Sequence, residues 1–121
     1  MDEAIESIQD RTFNFACRVV RLYRFLIKED RSNETFCRQL VRSGTSIGAN
    51  LEEACAAQSR ADFIAKCHIA LKEARESYYW LRLCHKTGIV PESRLHDLIK
   101  ECNEIISILT VILKKSKSSK V

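Results

Sequence analysis

The stretch Arg42–Phe63, RSGTSIGANLEEACAAQSRADF, contains two of the three glycines in this 121-residue chain. Gly44 and Gly48 stand four residues apart, yet Ile47 and Leu51 keep helical phase through them. A loop is therefore disfavoured here. Because each glycine weakens a helix by up to about 1 kcal/mol relative to alanine, another contact must offset the loss. We predict a helix whose small residues let a neighbouring helix approach closely.

Two other interpretations of the glycine pair fail on its neighbours. A phosphate-binding loop needs a Lys and a Ser or Thr after its second glycine, and GTSIG has no such lysine. A membrane dimerisation motif needs an apolar helix, which Arg42, Glu52 and Glu53 exclude. No run in the sequence reaches the roughly 18 apolar residues of a membrane span. The acidic start MDEAIESIQD is unlike a signal peptide. We therefore expect a cytoplasmic protein without a membrane partner.

Composition and periodicity predict one helical domain. The chain is 45% hydrophobic and 30% charged and has a single proline, which is typical of soluble helical proteins. Apolar spacing predicts helices at about residues 2–29, 33–58, 61–87 and 91–115, followed by a frayed basic tail at 116–121. Ser32 or Asn33 is expected to cap the second helix, and Gly88 to end the third. Short connectors predict an all-α, up-down-up-down four-helix bundle.

The first helix is wider in apolar residues than a bundle helix needs. Beside its inner row lies a second one, formed by Phe13, Ala16, Val20, Tyr23 and Ile27. Together the two rows cover about half of the helix surface, more than a single buried stripe. This width indicates a second burial surface and hence a partner subunit. In the alternative interpretation, Phe13 and Tyr23 only cover the edge of the bundle.

Polar residues in the second and third helices are predicted to form a cluster that fixes the register between them. A buried Asn or Glu without a partner loses about 1–3 kcal/mol, so such residues must meet one another. The predicted members are Arg42, Ser46, Asn50, Glu53 and Glu76, with Arg75 as a further candidate partner for the acids. In the alternative interpretation, Glu53 and Glu76 face solvent.

The net charge of +4 comes from an excess of cations in the second half of the chain. Residues 60–90 carry six basic and three acidic groups. Such a surface attracts polyanions, RNA and DNA first among them. The candidate nucleic-acid-binding residues are Arg18, Arg21, Arg24, Lys28, Lys66, Arg82, Lys86, Lys114, Lys115, Lys117 and Lys120. The alternative for each of them is an ordinary solvated helix face.

No motif in the sequence indicates catalysis, a metal or a cofactor. Cys67–His68 and Cys84–His85 look like ligand pairs, but neighbouring residues on a helix point about 100° apart. No nucleophile with an oriented base is evident. The six cysteines are expected to be free thiols, most of them buried. The aromatic run at 78–80 is predicted to serve the core and a subunit interface, with base stacking as the alternative.

Two segments carry a resemblance to a known family. QLVRSGTSIGANLEEA at 39–54 and DFIAKCHIALKEARESYYWLRL at 62–83 resemble the bacterial four-helix-bundle family of the 23S rRNA intervening-sequence protein. The residues that match the family pattern are Arg42, Gly44, Ser46, Ile47, Ala49, Asn50, Glu53, Phe63, Ile69, Ala70, Glu73 and Glu76. Many members continue with a Glu-Gly turn after the glutamate. Ala54 and Cys55 take those places here, so the helix break is expected later.

The resemblance implies how such a chain functions. It implies a ring-like homo-oligomer, typically a pentamer, without enzymatic activity. The family includes the accessory variability protein of diversity-generating retroelements, which implies RNA or DNA and a reverse transcriptase as partners, and members encoded in 23S rRNA genes, which imply a ribosomal partner. We therefore expect a non-catalytic, oligomeric protein that binds nucleic acid without reading sequence or associates with a ribonucleoprotein. The alternatives are a protein-binding scaffold and, without an evident pocket, a small-molecule binder.

Overall fold

Four helices make up the protein. The computed structural model describes the backbone of residues 2–90 and 92–118, and the side chains of residues 8–90, 93 and 95–118. The helices are α1 (Asp2–Glu29), α2 (Glu34–Cys55), α3 (Arg60–Lys86) and α4 (Glu92–Ser118), and a short 3-10 turn spans Arg31–Asn33. The described residues contain no strand. The prediction of an all-α four-helix bundle is therefore confirmed.

Each helix lies between two others around a common core. α1 contacts α2 and α4, and α3 contacts the same two helices, so α1 and α3 occupy opposite corners of the bundle. Every helix contributes large side chains that are 0–1% exposed, for example Phe15, Ile47, Leu81 and Leu109. The outward faces of α1 and α3 therefore point in opposite directions.

The glycine pair lies inside α2, as predicted, and its close neighbour is α1. A Cβ added at Gly44 would lie 3.0 Å from Val19 Cγ1, and one added at Gly48 would lie 3.4 Å from Thr12 Oγ1. Thr12 is fully buried and donates its hydroxyl to Ile8 O at 2.8 Å. The two glycines thus let the backbone of α2 approach a β-branched face of α1.

Hydrogen bonds at the helix ends correct the predicted cap of α2 and identify the cap of α3. Neither Ser32 nor Asn33 caps α2 through its side chain. Asp30 instead accepts a hydrogen bond from the Ser32 N–H at 2.9 Å, which orders the 3-10 turn before α2. The prediction was wrong because Asp, Ser and Asn have similar capping chemistry and stand almost side by side. The Ser59 hydroxyl caps α3 by accepting from the Asp62 N–H at 3.1 Å.

Gly88 ends α3 as predicted. Its φ of +72° is left-handed. The Gly88 N–H donates to His85 O and the Ile89 N–H to Cys84 O, each at 3.2 Å. These two bonds satisfy carbonyls that the end of the helix would leave without partners.

The boundaries of α2 and α4 differ from the expected ones. α2 ends at Cys55, three residues before the expected limit of 58. α4 continues through Ser118, so residues 116–118 of the expected tail are helical. Lysine is a good helix former, and cations are favourable near a helix C-terminus, which explains the extension. Pro91 and Lys120 lie outside the described residues.

None of the described helices is long and apolar enough to cross a membrane.

The two glycines should respond differently to alanine. In Gly44→Ala the new methyl group would press on Val19, which is stiff and fully buried, whereas in Gly48→Ala it would make an ordinary contact with Thr12. Because both variants gain the same helix propensity, their difference isolates the packing. We expect Gly44→Ala to be less stable than Gly48→Ala by about 1–3 kcal/mol in urea unfolding. Equal stability of the two variants would contradict the close approach at Gly44.

Candidate nucleic-acid interface

A polar seam joins α2 to α3. Arg42 Nη1 donates to Glu73 Oε1 at 3.2 Å, and its Nη2 donates to Glu76. The Trp80 indole also donates to Glu76 Oε2, at 2.9 Å. Glu73 is buried, and the guanidinium of Arg42 supplies the positive counter-charge that a buried carboxylate needs. We call this group, together with the buried Ser43–Ser77 hydroxyl pair at 2.9 Å, the Arg42 seam.

The predicted five-residue cluster is thus assembled only in part. Arg42 and Glu76 meet, but Ser46 and Asn50 each donate at 2.8 Å to a carbonyl one turn earlier in α2. Glu53 accepts from Lys66 at 2.8 Å instead of joining the others. Ser and Asn side chains reach their own helix backbone easily, which explains why they stay out of the seam.

Sequence reasoning missed four members of the seam, Ser43, Glu73, Ser77 and Trp80. A signal for Glu73 was present, because it stands three residues before Glu76 and therefore shares its helix face. Ser43 and Ser77 are small and gave no comparable signal.

A second ionic contact closes the bundle between α1 and α4. Arg11 Nε donates to Glu101 Oε2 at 2.9 Å, and Arg11 Nη2 donates to Glu101 Oε1 and Glu104 Oε1 at 2.6 Å each. The hydrogen bond from Arg11 holds the pKa of Glu101 below its ordinary value, and the charge of Arg18 adds a smaller effect. Both glutamates therefore face α1 and are neutralised there.

The described ion pairs use basic residues that are largely different from the predicted nucleic-acid-binding set. Their cations are Arg11, Arg31, Arg38, Arg42 and Lys66. Within the described part of the chain, Lys66, paired with Glu53, is the only member of the predicted nucleic-acid-binding set in an ion pair. The other described members are therefore available to an external anion, although Arg18 is half-buried.

The predicted cations do not form a single patch. Arg21, Arg24 and Lys28 are exposed on α1, whereas Arg82 and Lys86 are exposed on α3, at the opposite corner of the bundle. The lysines of α4, Lys114, Lys115 and Lys117, are exposed near its C-terminus. These groups face different directions, so one short ligand cannot contact all of them on one chain.

The outward face of α3 carries a regular basic row. Its members alternate at spacings of four and three residues, and all of them are exposed: His68, Lys72, Arg75, Tyr79, Arg82 and Lys86. We call these six residues the α3 basic row. Lys72 and Arg75 were not among the predicted binding residues, although the spacing that places them beside Arg82 and Lys86 is visible in the sequence.

Aromatic side chains accompany the row. Tyr79 is 51% exposed, and its ring lies edge-on to Trp80 with centroids 5.1 Å apart. The guanidinium of Arg82 lies 5.0 Å from the centre of the Tyr78 ring, close enough for a cation–π contact. Tyr78 and Trp80 are half-buried, so within this chain Tyr79 is the member of the aromatic run that faces solvent most fully.

The cysteines do not assemble into a reactive or metal-binding site. All six are free thiols: four are buried, Cys17 is half-buried and Cys55 is exposed. Burial raises the pKa of Cys67 to about 11 and that of Cys102 to about 12, which disfavours the reactive thiolate. Cys67 is buried and His68 exposed, so the two point apart. Among the described residues, no group of three or more His, Cys, Asp or Glu side chains could hold a metal ion.

Comparison with known proteins identifies the relatives of this chain. A family model described as 23S rRNA-intervening sequence protein matches residues 6–111. Among solved structures, the chain is similar to a protein of unknown function from the S23 ribosomal protein family of Bacteroides thetaiotaomicron. The two share 44% sequence identity with a TM-score of 0.84, and the match covers 88% of this chain and 98% of the other. No curated protein matches the chain.

Removing the guanidinium of the Arg42 seam should destabilise the fold. In Arg42→Met the buried Glu73 loses its partner, so we expect a loss of about 1–3 kcal/mol in urea unfolding. Adding Glu73→Gln to that variant should recover part of the loss, because the uncompensated charge is gone. Arg38→Met is the matched control. Its own side chain is 70% exposed and that of its partner Glu34 is 29% exposed, so a much smaller loss of stability than in Arg42→Met is expected. A similar loss in both arginine variants would contradict the role of Arg42.

Proposed function

This chain belongs to the 23S rRNA-intervening sequence protein family, and we propose that it is a non-catalytic, oligomeric protein that binds nucleic acid or associates with a ribonucleoprotein through a basic surface. The relative of known structure from Bacteroides thetaiotaomicron is itself of unknown function. The proposal therefore rests on the side chains of this chain. Binding of this kind contacts phosphates and does not read base sequence.

The proposal rests on exposed cations that take no part in the described ion pairs. In the described residues, the carboxylates in ion pairs are held by Arg11, Arg31, Arg38, Arg42 and Lys66. The exposed cations of α1, α3 and the end of α4 enter no ion pair there. An unpaired surface cation can neutralise a phosphate without first breaking a contact in the protein. Counterion release from the nucleic acid then supplies most of the affinity.

Self-association is the second part of the proposal. The second apolar row of the first helix consists of Phe13, Ala16, Val20, Tyr23 and Ile27. Phe13 is 66% and Val20 36% exposed, and the other three are half-buried. We call these five residues the α1 apolar row. A contact between copies would remove this surface from water. A ring of five copies, each with a net charge of +4, would carry about +20 and a correspondingly stronger field for a polyanion.

A protein-binding scaffold is the second candidate function. The observation that favours it is the same exposure of Phe13, because a large apolar side chain on the surface also suits a protein partner such as a reverse transcriptase or a ribosomal protein. In that case the positive charge would be incidental. Salt separates the two functions, since apolar docking responds weakly to ionic strength and phosphate binding responds steeply.

We expect the purified protein to bind generic RNA and DNA with an affinity that falls at least tenfold between about 50 and 200 mM salt. Fluorescence anisotropy with labelled oligonucleotides measures the affinity, and light scattering on the same sample gives the mass of the protein. Salt-sensitive binding together with a mass of several chains supports the proposal. Absence of binding at the lower salt concentration would leave the scaffold function in its place.

Light scattering also tests the α1 apolar row. The double variant Phe13→Ser, Val20→Ser should lower the mass towards that of one chain, because the apolar surface that favours association is removed. Ile69→Ser, Val111→Ser is the matched control. These residues are 39% and 51% exposed and lie on α3 and α4. If the control lowers the mass and the α1 variant does not, the copies associate through another face.

A further inference from the structure

We propose that the α3 basic row is a binding site for single-stranded nucleic acid, in which the cations contact successive phosphates and Tyr79 stacks on a base. This inference rests on the proposed function and specifies its site and its ligand. The α3 basic row is one of several basic surfaces of the chain, and Lys72, Arg75 and Tyr79 are specific to it.

The Arg42 seam holds the mid-helix carboxylates of α3 away from this face. Glu73 and Glu76, the acids in the middle of α3, are both turned towards α2 and held by Arg42. On the other flank, Glu101 and Glu104 of α4 are turned towards α1 and held by Arg11. The six positions of the row include no acid, and none of its five basic side chains enters a described ion pair. A polyanion on this face therefore meets no carboxylate within the row.

The dimensions of the row suit an extended strand. From His68 to Lys86 the helix rises by about 27 Å, at 1.5 Å per residue. Successive members at spacings of three and four residues stand about 5–6 Å apart at their Cβ atoms. The Arg82 guanidinium lies over Tyr78, which restricts one of the cations before any ligand arrives. The result is a straight track of positive charge along one helix.

Tyr79 distinguishes a single strand from a duplex. Its ring stands at the middle of the row and is half exposed, so an unpaired base can stack on it between neighbouring phosphate contacts. In a duplex the base faces are already stacked on one another, so Tyr79 would have no base to stack on. Entry of α3 into a major groove is also unfavourable, because α2 and α4 flank the helix and only its outer face is free.

The test uses the full-length protein and two matched pairs of cations. Lys72→Gln, Arg75→Gln removes two charges from the row. Arg21→Gln, Arg24→Gln removes the same charge from α1, from residues that have the same spacing and are also exposed, at the opposite corner of the bundle. Tyr79→Ala removes the ring, and Tyr79→Phe keeps it. The probes are single-stranded oligonucleotides of about 20 nucleotides, one RNA and one DNA, and a DNA duplex of equal length.

We expect the wild-type protein to bind both single strands more tightly than the duplex. The α3 pair should weaken single-strand binding more than the α1 pair does, and should lower the slope of log affinity against log salt by about 1.4, or about 0.7 for each lost phosphate contact. Tyr79→Ala should weaken binding at least about fivefold, whereas Tyr79→Phe should bind as the wild type does. Circular dichroism and light scattering verify that each variant keeps its fold and its mass.

Three outcomes would overturn the inference, and they differ in what else they affect. Equal weakening by the two pairs, or weakening by the α1 pair alone, would remove the α3 site and leave the proposed function intact. Duplex binding as tight as single-strand binding, with no effect of Tyr79→Ala, would exclude stacking on Tyr79. Absence of binding by the wild-type protein would remove the proposed function together with the site.

Discussion

The charge pattern of this bundle depends on one arginine. Arg42 of α2 contacts both Glu73 and Glu76, so the acids in the middle of α3 are neutralised on the side of the helix that faces α2. Without that guanidinium, Glu73 would be a buried charge without a described ion-pair partner. With it, the remaining mid-helix charges of α3 are positive and face outward. One contact therefore stabilises the α2–α3 seam and neutralises the two acids that lie on the same helix as the outward-facing cations.

The same helix, α2, also determines how closely the bundle packs. Its Gly44 and Gly48 lie against Val19 and Thr12 of α1, and its Ser43 hydroxyl lies against Ser77 of α3. Small residues on two sides of one helix thus fix its distance from both neighbours. Polar groups on the α3 side add register, because the buried Ser43–Ser77 hydroxyl pair and the buried Glu73 carboxylate have few alternative partners. The helix propensity lost at the glycines is offset by this packing.

The sequence predicts what depends on periodicity and misses what depends on the choice of partner. The four helices, the continuity of α2 through its glycines and the role of Gly88 follow from spacing and local chemistry. The capping by Asp30 was missed because Ser32 and Asn33 are chemically similar neighbours. The seam was only partly predicted, since Ser46 and Asn50 can bond to their own helix as readily as across it. Lys72 and Arg75 were missed as binding residues, although their spacing places them on the same helix face as Arg82 and Lys86.

Self-association and nucleic-acid binding need different surfaces, and the topology keeps the two proposed surfaces apart. The α1 apolar row and the α3 basic row lie on helices at opposite corners of the bundle, each flanked by α2 and α4. A contact between copies that buries the apolar row can therefore leave the basic row in solvent. In an assembly of that kind every copy would present the same track of cations, so one long strand could engage several copies in turn. Binding of the second copy would then be intramolecular, which strengthens the whole complex without requiring tight binding to any single helix.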